Sequence, residues 1–378
     1  MTDLLALAAE LVAIPSVSHH EAVLADRVEA ELRAGAHLQV DRVGDTVVAR
    51  TRLGRERRVV LAGHLDTVPP FGDGGPRVEG DVLWGLGAVD MKGGLAVLLD
   101  LARSVAEPGV DVTYVLYSCE EVERRHSGLG RLAATRPDLL AADAAVLGEP
   151  TGGVVEAGCQ GTMRAVVSIG GRRAHTARPW TGVNAVHRLS PFLDALARYE
   201  PRSVVLDGCE YTEQLQAVGV EGGVAGNVVP DRATLTVNYR FAPDRDTAAA
   251  TAGLLALLGP GVDAAAGDSF EVVDAAPGAP PALGHPVLAA LVAATGTPPR
   301  AKVGWTDVAT FGEIGVAATN FGPGDPLLAH TPDERVSRHQ LEQARDVLAT
   351  MLDAAGRSPS GRPEGDGRGR DGAPRRPG

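Results

Sequence analysis

The sequence predicts an α/β fold in which helices cover both faces of a mostly parallel sheet and a small α+β unit interrupts the chain. Two observations lead to this prediction. Strand-like segments such as "RVVLAGHLDTV" and "DVTYVLYSC" are continuous apolar runs that alternate with helical segments, as parallel strands buried on both faces do. From about residue 160 the apolar residues instead alternate at period two, which is typical of half-exposed antiparallel strands.

The first part of the chain has the order of elements that a parallel sheet requires. Apolar residues at helical spacing predict helices over 3–13, over 21–33 and from about residue 92, in "DMKGGLAVLLDLARSVAE". "RVVLAGHLDTV" predicts a strand, and a Gly- and Pro-rich loop follows it at 69–80. The strand "DVTYVLYSCEE" precedes the helix "GLGRLAAT", and "ADAAVLGEPT" is a further buried strand that ends in a carboxylate. Strands and helices in this alternation favour an α/β layer architecture.

The later part of the chain predicts an insertion. "TMRAVVSIGGRRAH" and "RATLTVNYRFAPD" alternate at period two, with the helix "NAVHRLSPFLDALARY" between them and another helix at 246–258. "GAPPALGHP" predicts a linker, after which helices at 285–295 and 337–354 restore the α/β pattern. Four segments result: 1–161, the first part of the main domain; 162–276, the inserted α+β domain; 277–356, the second part of the main domain; and 357–378, a tail. The tail has almost no apolar residues, so we expect it to be disordered.

Composition excludes several kinds of partner. The formal net charge of −12 over 378 residues argues against a nucleic-acid backbone or an anionic membrane surface as the main partner. No run of eighteen apolar residues predicts a membrane span, and "MTDLLALAAELVAIP" predicts an amphipathic helix, not a signal peptide. Three cysteines give no disulfide framework and favour a reducing compartment. We therefore expect a cytoplasmic protein that acts on a small molecule.

Unusual polar residues follow the predicted strand ends. They are His64, Asp66, Glu120, Glu121 and Glu149, together with Asp90, which follows the Gly-rich loop in "WGLGAVDMKGG". The carboxyl ends of strands in an open α/β sheet meet at one crevice, so these side chains should converge. Carboxylates in that number do not stay ionised together unless cations balance them. Two divalent cations would do so, because each takes about four N or O ligands and one carboxylate can bridge both.

The adjacent pair Glu120 and Glu121 suggests a division of labour. Consecutive side chains leave a strand in opposite directions, so only one of the two can point straight at a metal. The other can stand beside a water molecule and take its proton, which is the chemistry of metal-assisted hydrolysis. Spacing alone does not say which glutamate has which role.

Five motifs resemble those of a known family. "GHLDTVP", "DMKGG", "CEE", "GEPT" and "AHTPDE" are similar, in order and spacing, to the dinuclear zinc peptidases and deacylases. That family includes aminoacylases, acetylornithine deacetylases, Gly-specific carboxypeptidases and succinyl-diaminopimelate desuccinylases. The resemblance covers nearly all of residues 4–354.

The resemblance implies a cofactor and a role for each residue of the cluster. The cofactor would be two Zn²⁺ ions, for which Co²⁺ can substitute. One ion would bind His64, Asp90 and Glu149, and the other would bind Asp90, Glu121 and His330. Glu120 would be the general base and acid. Asp66 would orient the His64 ring, as groups beside metal-binding histidines usually do.

The inserted domain resembles the family's dimerisation or lid domain, which implies a homodimer. "GRRAHTARPWTGVNAVH" matches the segment whose histidine, here His175, reaches the partner's active site and stabilises the oxyanion. "GNVVPDRATLTVNYR" and "GWTDV" match segments that contact substrate, here through Asn227, Arg240 and Thr306. Arg178 is a weaker candidate for a carboxylate contact.

The resemblance is strongest to the desuccinylase form found in high-GC Gram-positive bacteria. "EAGCQGTMR", "GGVAGNVVPD" and "GWTDVATF" are the segments on which this depends. It implies hydrolysis of N-succinyl-L,L-diaminopimelate to succinate and L,L-diaminopimelate, a reaction of diaminopimelate and lysine biosynthesis. Another N-acyl-amino-acid deacylase or a metallodipeptidase is the alternative within the family. A binding protein that has lost catalysis is a third hypothesis, which the intact motifs disfavour.

Overall fold

The computed structural model describes residues 3–71 and 75–356. The tail predicted at 357–378 lies outside the described residues. The helices are α1 (Leu4–Val12), α2 (Ala22–Arg33), α3 (Lys92–Ser104), α4 (Gly128–Thr135), α5 (Ser190–Ala197), α6 (Thr247–Leu258), α7 (Pro286–Thr295), α8 (Val308–Glu313) and α9 (Arg338–Ala355). Among these helices of the described ranges, none has both the length and the apolar character needed to cross a membrane.

The strands, in chain order, are β1 (Gln39–Val43), β2 (Thr46–Arg50), β3 (Arg58–His64), β4 (Arg77–Glu79), β5 (Val82–Trp84), β6 (Asp111–Tyr117), β7 (Ala144–Leu147), β8 (Glu156–Ala157), β9 (Gly161–Gly170), β10 (Ser203–Leu206), β11 (Cys209–Thr212), β12 (Gln214–Gly222), β13 (Arg232–Phe241), β14 (Ser269–Ala276), β15 (Arg300–Ala301), β16 (Ala317–Asn320) and β17 (Arg335–Ser337).

An eight-stranded sheet forms the centre of the molecule, in the order β1-β2-β6-β3-β7-β16-β8-β15. Its middle is parallel, because β3 pairs in parallel with β6 and β7, and β7 with β16. Antiparallel pairs lie nearer the edges, at β1–β2, β2–β6 and β8–β16. The prediction of a mostly parallel α/β sheet is confirmed.

Both faces of this sheet are covered by helices, as predicted. Alternate residues of β3 enter two different hydrophobic cores, because successive side chains of a strand point to opposite faces. Val59 and Leu61 pack with residues of α1, α2, α3, α7 and α9, whereas Val60 and Ala62 pack with residues of α4 and α8. Burial on both faces explains why these strands read as unbroken apolar runs.

A separate four-stranded sheet, β12-β13-β9-β14, is formed by residues between 161 and 276. All its pairs are antiparallel, and β9 and β13 bury every second residue, as their alternation predicts. One helix of this unit differs from the prediction. "NAVHRLSPFLDALARY" predicts a single helix over 184–199, but α5 begins only at Ser190 with Pro191 in its first turn. Proline is accepted there because the first turn leaves its amide position unpaired.

Several short strands had no clear signal in the sequence. The strands β1, β10, β11 and β12 contain many exposed or half-exposed residues. Mixed polar segments of this kind lack the apolar pattern on which strand prediction depends. The strands that position the candidate site are the buried ones, β3, β6 and β7, whose carboxyl ends lie side by side in the sheet.

Candidate metal centre

His64 is the last residue of β3, and its buried ring faces a carboxylate on each side. Nε2 lies 3.0 Å from Asp90 Oδ1, and Nδ1 lies 3.0 Å from the backbone oxygen of Asp66. A carbonyl oxygen can only accept, so Nδ1 carries a proton. An ionised carboxylate oxygen also only accepts, so Nε2 donates to Asp90 in this structure. Burial by itself would lower the pKa of His64, but the hydrogen bonds to Asp66 and Asp90 outweigh it and raise that pKa well above its ordinary value.

Asp90 stands between two histidines. Its Oδ1 faces His64, and its Oδ2 lies 3.4 Å from His330 Nε2. His330 Nε2 also lies 2.7 Å from Glu121 Oε1. Hydrogen bonds to Asp90 and Glu121 raise the pKa of His330 to about 10. Burial by itself would raise the pKa of Asp90, but the two histidines outweigh it and hold that pKa below its ordinary value.

Glu120 and Glu149 complete the cluster with carboxyl groups whose pKa values are raised. Burial, followed by repulsion from Asp90, raises the pKa of Glu149 to about 7. Burial also raises the pKa of Glu120 well above its ordinary value, and the neighbouring carboxylates of Glu149 and Glu121 add to the effect. Negative charge is therefore in excess at this position, which favours a bound cation.

Asp66 was expected to orient the His64 ring through its side chain, but its closest contact with the ring is through its backbone oxygen. Its carboxylate Oδ1 lies 3.5 Å from His64 Nδ1, and it is the backbone oxygen of Asp66 that approaches the ring more closely. The carboxylate instead accepts the backbone N–H groups of Glu120 and Glu121, at 2.9 and 3.0 Å. Asp66 thus contacts both the histidine and the glutamate pair.

The donor atoms fit divalent metal ions. Three groups of side chains have ligand atoms within 4.8 Å of one another: His64, Asp90 and Glu149; Asp90, Glu121 and His330; and His64, Glu120 and Glu121. The first two groups share Asp90 and consist of the same residues as the two predicted ligand sets. The third group is an alternative to them, because it uses His64 of the first set and Glu121 of the second. Within the described residues, Glu149 Oε1 is buried without a hydrogen-bond partner, and a buried carboxylate oxygen in that state is suited to bind a cation. Nitrogen and oxygen donors in these numbers suit Zn²⁺.

The predicted substrate residues lie in three different environments. Arg240 is partly buried, burial lowers its pKa, and in the described part of the chain its guanidinium has neither a hydrogen-bond partner nor a salt bridge. Thr306 is buried and its hydroxyl donates to Asn320 Oδ1 at 2.9 Å, so only its oxygen lone pairs are free to bind a ligand. Asn227 is exposed.

His175 is exposed and lies beside the Asn227 loop. It forms a bridge with Val228, and the amide of Thr176 donates to the Asn227 carbonyl oxygen at 3.1 Å. His175 Nδ1 accepts the amide of Ala177 at 3.0 Å, so the ring proton is on Nε2, which can donate to a ligand. No hydrogen bond between described residues joins His175 to the metal cluster. Arg178 is exposed as well.

Comparison with known proteins establishes the family. Residues 60–354 match the model of peptidase family M20/M25/M40. The chain belongs to this family. A Mycobacterium tuberculosis protein, provisionally named a succinyl-diaminopimelate desuccinylase, is 53% identical over 93% of this chain and 98% of its own length. The succinyl-diaminopimelate desuccinylase of Corynebacterium glutamicum is 45% identical over 92% of this chain and 95% of that protein.

Solved structures of other proteins have the same fold. A tripeptidase from Staphylococcus aureus aligns with a TM-score of 0.78 at 20% identity, over 94% of this chain and 98% of that one. A Bacillus subtilis protein, described as a dinuclear metal-binding peptidase from the M20 family, aligns with a TM-score of 0.68 at 16% identity, over 93% and 96%. At these identities the likeness shows the fold alone.

Sequence reasoning missed several residues beside the centre of this M20 chain. They are Ser18, Glu21, Glu156, Lys302, Asp307 and Glu334, all of them buried. Lys302 Nζ pairs with Glu156 at 2.8 Å, and Glu334 accepts the amides of Val89 and Asp90 at 2.9 and 3.0 Å. One signal was available for Lys302. Only two of the 36 Lys and Arg residues are lysines, and this rarity is the signal. The structure shows that both lysines are buried.

Proposed function

We propose that this M20 chain hydrolyses N-succinyl-L,L-diaminopimelate to succinate and L,L-diaminopimelate, a step of diaminopimelate and lysine biosynthesis. The observation that carries the proposal is the 45% identity to the Corynebacterium glutamicum desuccinylase across 92% of the chain. The cluster of carboxylates and histidines at the sheet edge supports a hydrolytic reaction. The identity to the desuccinylase also supports a small amide as the substrate.

Two Zn²⁺ ions are the cofactor that we propose for this cluster. His64, Asp90 and Glu149 would hold one, and Asp90, Glu121 and His330 would hold the other, with Asp90 shared between them. Bound at these positions, the ions would supply Lewis-acid polarisation of the scissile carbonyl and lower the pKa of a water molecule. The backbone oxygen of Asp66 supports this assignment, because it holds a proton on His64 Nδ1 and leaves Nε2, which faces Asp90, as the ring nitrogen that would bind an ion.

Glu120 is the general base and acid in this proposal. Its carboxylate takes a proton from the attacking water as the C–O bond forms, and gives it to the leaving nitrogen as the amide C–N bond breaks. A general base works best when its pKa lies near the working pH. The raised pKa of the buried Glu120 carboxyl supports this role, and so do the amide contacts of Asp66, which fix the backbone on which Glu120 stands.

Substrate recognition would depend on Arg240, Asn227 and Thr306. A succinyl-diaminopimelate molecule carries several carboxylates, and a guanidinium binds a carboxylate with two parallel hydrogen bonds. Arg240 supports this because its guanidinium is uncompensated within the described residues. Asn227 and Thr306 would contact other polar groups of the substrate, the threonine as an acceptor.

A homodimer formed through the inserted domain of 162–276 would complete the site. His175 of one protomer would donate from Nε2 to the oxyanion in the partner's site, and the tautomer that Ala177 imposes supports this. The outer strand β12 supports an interface in this domain, because it is the edge of its sheet and exposes Val218 and Val220. An exposed apolar edge strand favours pairing with another chain. The enzyme would work in the cytoplasm, as its three free buried cysteines suggest.

A panel of substrates tests the proposed reaction. The purified protein is assayed with N-succinyl-L,L-diaminopimelate, N-acetylornithine, simple N-acyl amino acids and dipeptides, before and after removal of metal by a chelator. We expect the highest kcat/KM for the succinyl substrate, loss of activity on chelation and recovery with Zn²⁺ or Co²⁺. A higher kcat/KM for another N-acyl amino acid or for a dipeptide would instead assign the chain to the alternative deacylases or dipeptidases of the family.

A further inference from the structure

Three consecutive backbone amides beside the metal cluster each donate to a buried carboxylate from a distant part of the chain. Cys119 N–H donates to Glu21 Oε1 at 2.9 Å. Glu120 N–H and Glu121 N–H donate to the two oxygens of Asp66, at 2.9 and 3.0 Å. Hydrogen bonds to ionised acceptors are the stronger ones in proteins. The turn that carries both glutamates is therefore fixed from outside, by two acids that belong to neither β6 nor α4.

Glu21 holds its position through a segment that is itself fixed. Residues 16–18 run beside the end of β3, where Ser16 Oγ donates to the Leu65 carbonyl oxygen at 2.7 Å and Thr67 N–H donates to the Ser16 carbonyl oxygen at 2.9 Å. Ser18 Oγ donates to Asp66 Oδ2 at 2.7 Å. Glu21 immediately precedes α2 and is only 1% exposed. Both acids that hold the turn thus rest on the same N-terminal segment.

The backbone at Cys119 needs such support. Its φ of +59° lies in the left-handed region, which costs free energy for every residue except glycine. Such conformations persist where the surroundings hold them, and they occur often at functional sites. Besides the amide, Glu21 Oε1 accepts the Cys119 thiol at 3.2 Å.

We propose that Glu21 is a positioning residue for the hydrolytic reaction, which holds the strained turn at Cys119 so that the side chains of Glu120 and Glu121 leave this turn in the directions their separate roles require. The inference rests on the proposed function of Glu120. Without an acceptor at position 21, Cys119 can relax towards a right-handed conformation, and the rotation carries the next two residues with it. A displacement of about 1 Å at a reacting group can cost ~10²-fold in rate.

Two substitutions separate positioning from helix stability. Glu21→Gln removes the charge at the start of α2 but keeps an oxygen acceptor, whereas Glu21→Met has a similar length and no acceptor. We expect Glu21→Met to lose roughly 10–100-fold in kcat with KM close to wild type, and Glu21→Gln to retain most of kcat. The matched control is Asp268→Asn, at a buried acid that accepts the amides of Gly170 and Asp263. It should lower stability and leave kcat unchanged.

Amide hydrogen exchange of the metal-free protein gives a readout that does not depend on activity. The Cys119 amide should be protected in wild type and in Glu21→Gln, and it should exchange faster in Glu21→Met while the amides of β13 keep their protection. Rapid exchange of Cys119 in wild type would overturn the inference, even if Glu21→Met did not fold. Wild-type kcat in a folded Glu21→Met variant would also overturn it, as would equal losses in kcat for Gln and Met.

Failure of the proposed reaction can be told apart from failure of this inference. Variant rates are expressed relative to wild type on whichever N-acyl substrate the wild-type protein hydrolyses fastest. Should that substrate not be the succinyl compound, the proposed function fails while the ratio for Glu21→Met still decides the inference. Should no substrate be hydrolysed, protection of the Cys119 amide and its loss in Glu21→Met decide it.

Discussion

Glu120 and Glu121, in the turn that follows β6, are adjacent in sequence, yet the proposed mechanism gives them separate tasks. Glu121 Oε1 contacts His330, whereas Glu120 has a raised pKa and no such contact in the described structure. We expect Glu120→Gln to keep its metal and to lose ~10²–10⁴-fold in kcat, since it removes only the proton acceptor. Glu121→Gln should instead bind metal more weakly. Metal analysis after dialysis, together with kcat, measures both effects, and the opposite pattern would exchange the two roles.

Asp90 is the residue on which both proposed ligand sets depend. Because its two oxygens face His64 and His330, Asp90→Ala should lose both metal ions, while Glu149→Ala and His330→Ala should each weaken mainly one. Metal content per protomer after dialysis distinguishes these outcomes. Two ions retained in Asp90→Ala would rule out the shared position.

At this scale the sequence predicted residues with recognisable chemistry and missed those that act through backbone contacts. His64 and Glu149 stand out because a histidine or an acid follows an apolar strand, and Asp90 stands out because it follows a Gly-rich loop and precedes an apolar helix. Glu21 does not, because its partner Cys119 lies 98 residues away and the contact is to a backbone amide. No local pattern distinguishes a glutamate that holds a distant amide from one at the start of an ordinary helix.

At the scale of elements, Asp268 shows how a single acid stabilises the four-stranded sheet β12-β13-β9-β14. Its side chain pairs with Arg188 at 2.7 Å, and it accepts the amide of Gly170, the last residue of β9, and the amide of Asp263, between α6 and β14. Burial by itself would raise the pKa of Asp268, but the hydrogen bonds from Arg188 and the two amides outweigh it and hold that pKa below its ordinary value. Protonation of Asp268 therefore opposes folding.

The pH dependence of this contribution follows from the lowered pKa. The stabilisation is fully present above the unfolded pKa of about 3.9, and it is lost as the pH falls through the lower folded pKa. Asp268→Asn should be less stable than wild type at pH 7 by about 1–3 kcal/mol, the cost of a lost charged hydrogen bond. Denaturant unfolding at several pH values measures the difference, which should shrink in acid. A difference that stays constant down to pH 2 would contradict the prediction.

The elements that position the site were the ones most readily predicted. Strands β3, β6 and β7 are buried on both faces and so have an unmistakable apolar pattern, and α3 and α9 match their predicted segments closely. The strand order was beyond prediction, because β16 and β15 join the sheet from far along the chain. Pairing between distant strands depends on the packing of the whole sheet, and no local sequence pattern indicates which strands will pair.

At the scale of the whole molecule, the proposed dimer predicts that two inactive variants can restore each other. With His175 donating across the interface, a mixed dimer of His175→Ala and Glu120→Gln has one site with both defects and one intact site. Removing one oxyanion donor costs ~10²–10³-fold in kcat, so each variant alone should be nearly inactive. Activity should return when the two are refolded together. Mixed dimers identified by mass that remain inactive would place His175 in its own protomer's site or remove it from catalysis.

The two buried lysines have a consequence for how the protein can be probed. A protease that cuts only after lysine has two cleavage sites in the chain, at Lys92 and Lys302, which are 2% and 8% exposed. Lys92 lies two residues after Asp90, and Lys302 pairs with Glu156. Proteolysis of a folded chain requires local opening. The rate of digestion by such an enzyme would therefore report local unfolding around these two buried lysines and not the accessibility of the surface. We expect added Zn²⁺ to slow cleavage after Lys92, and equal rates with and without the ion would show that binding does not restrain this segment.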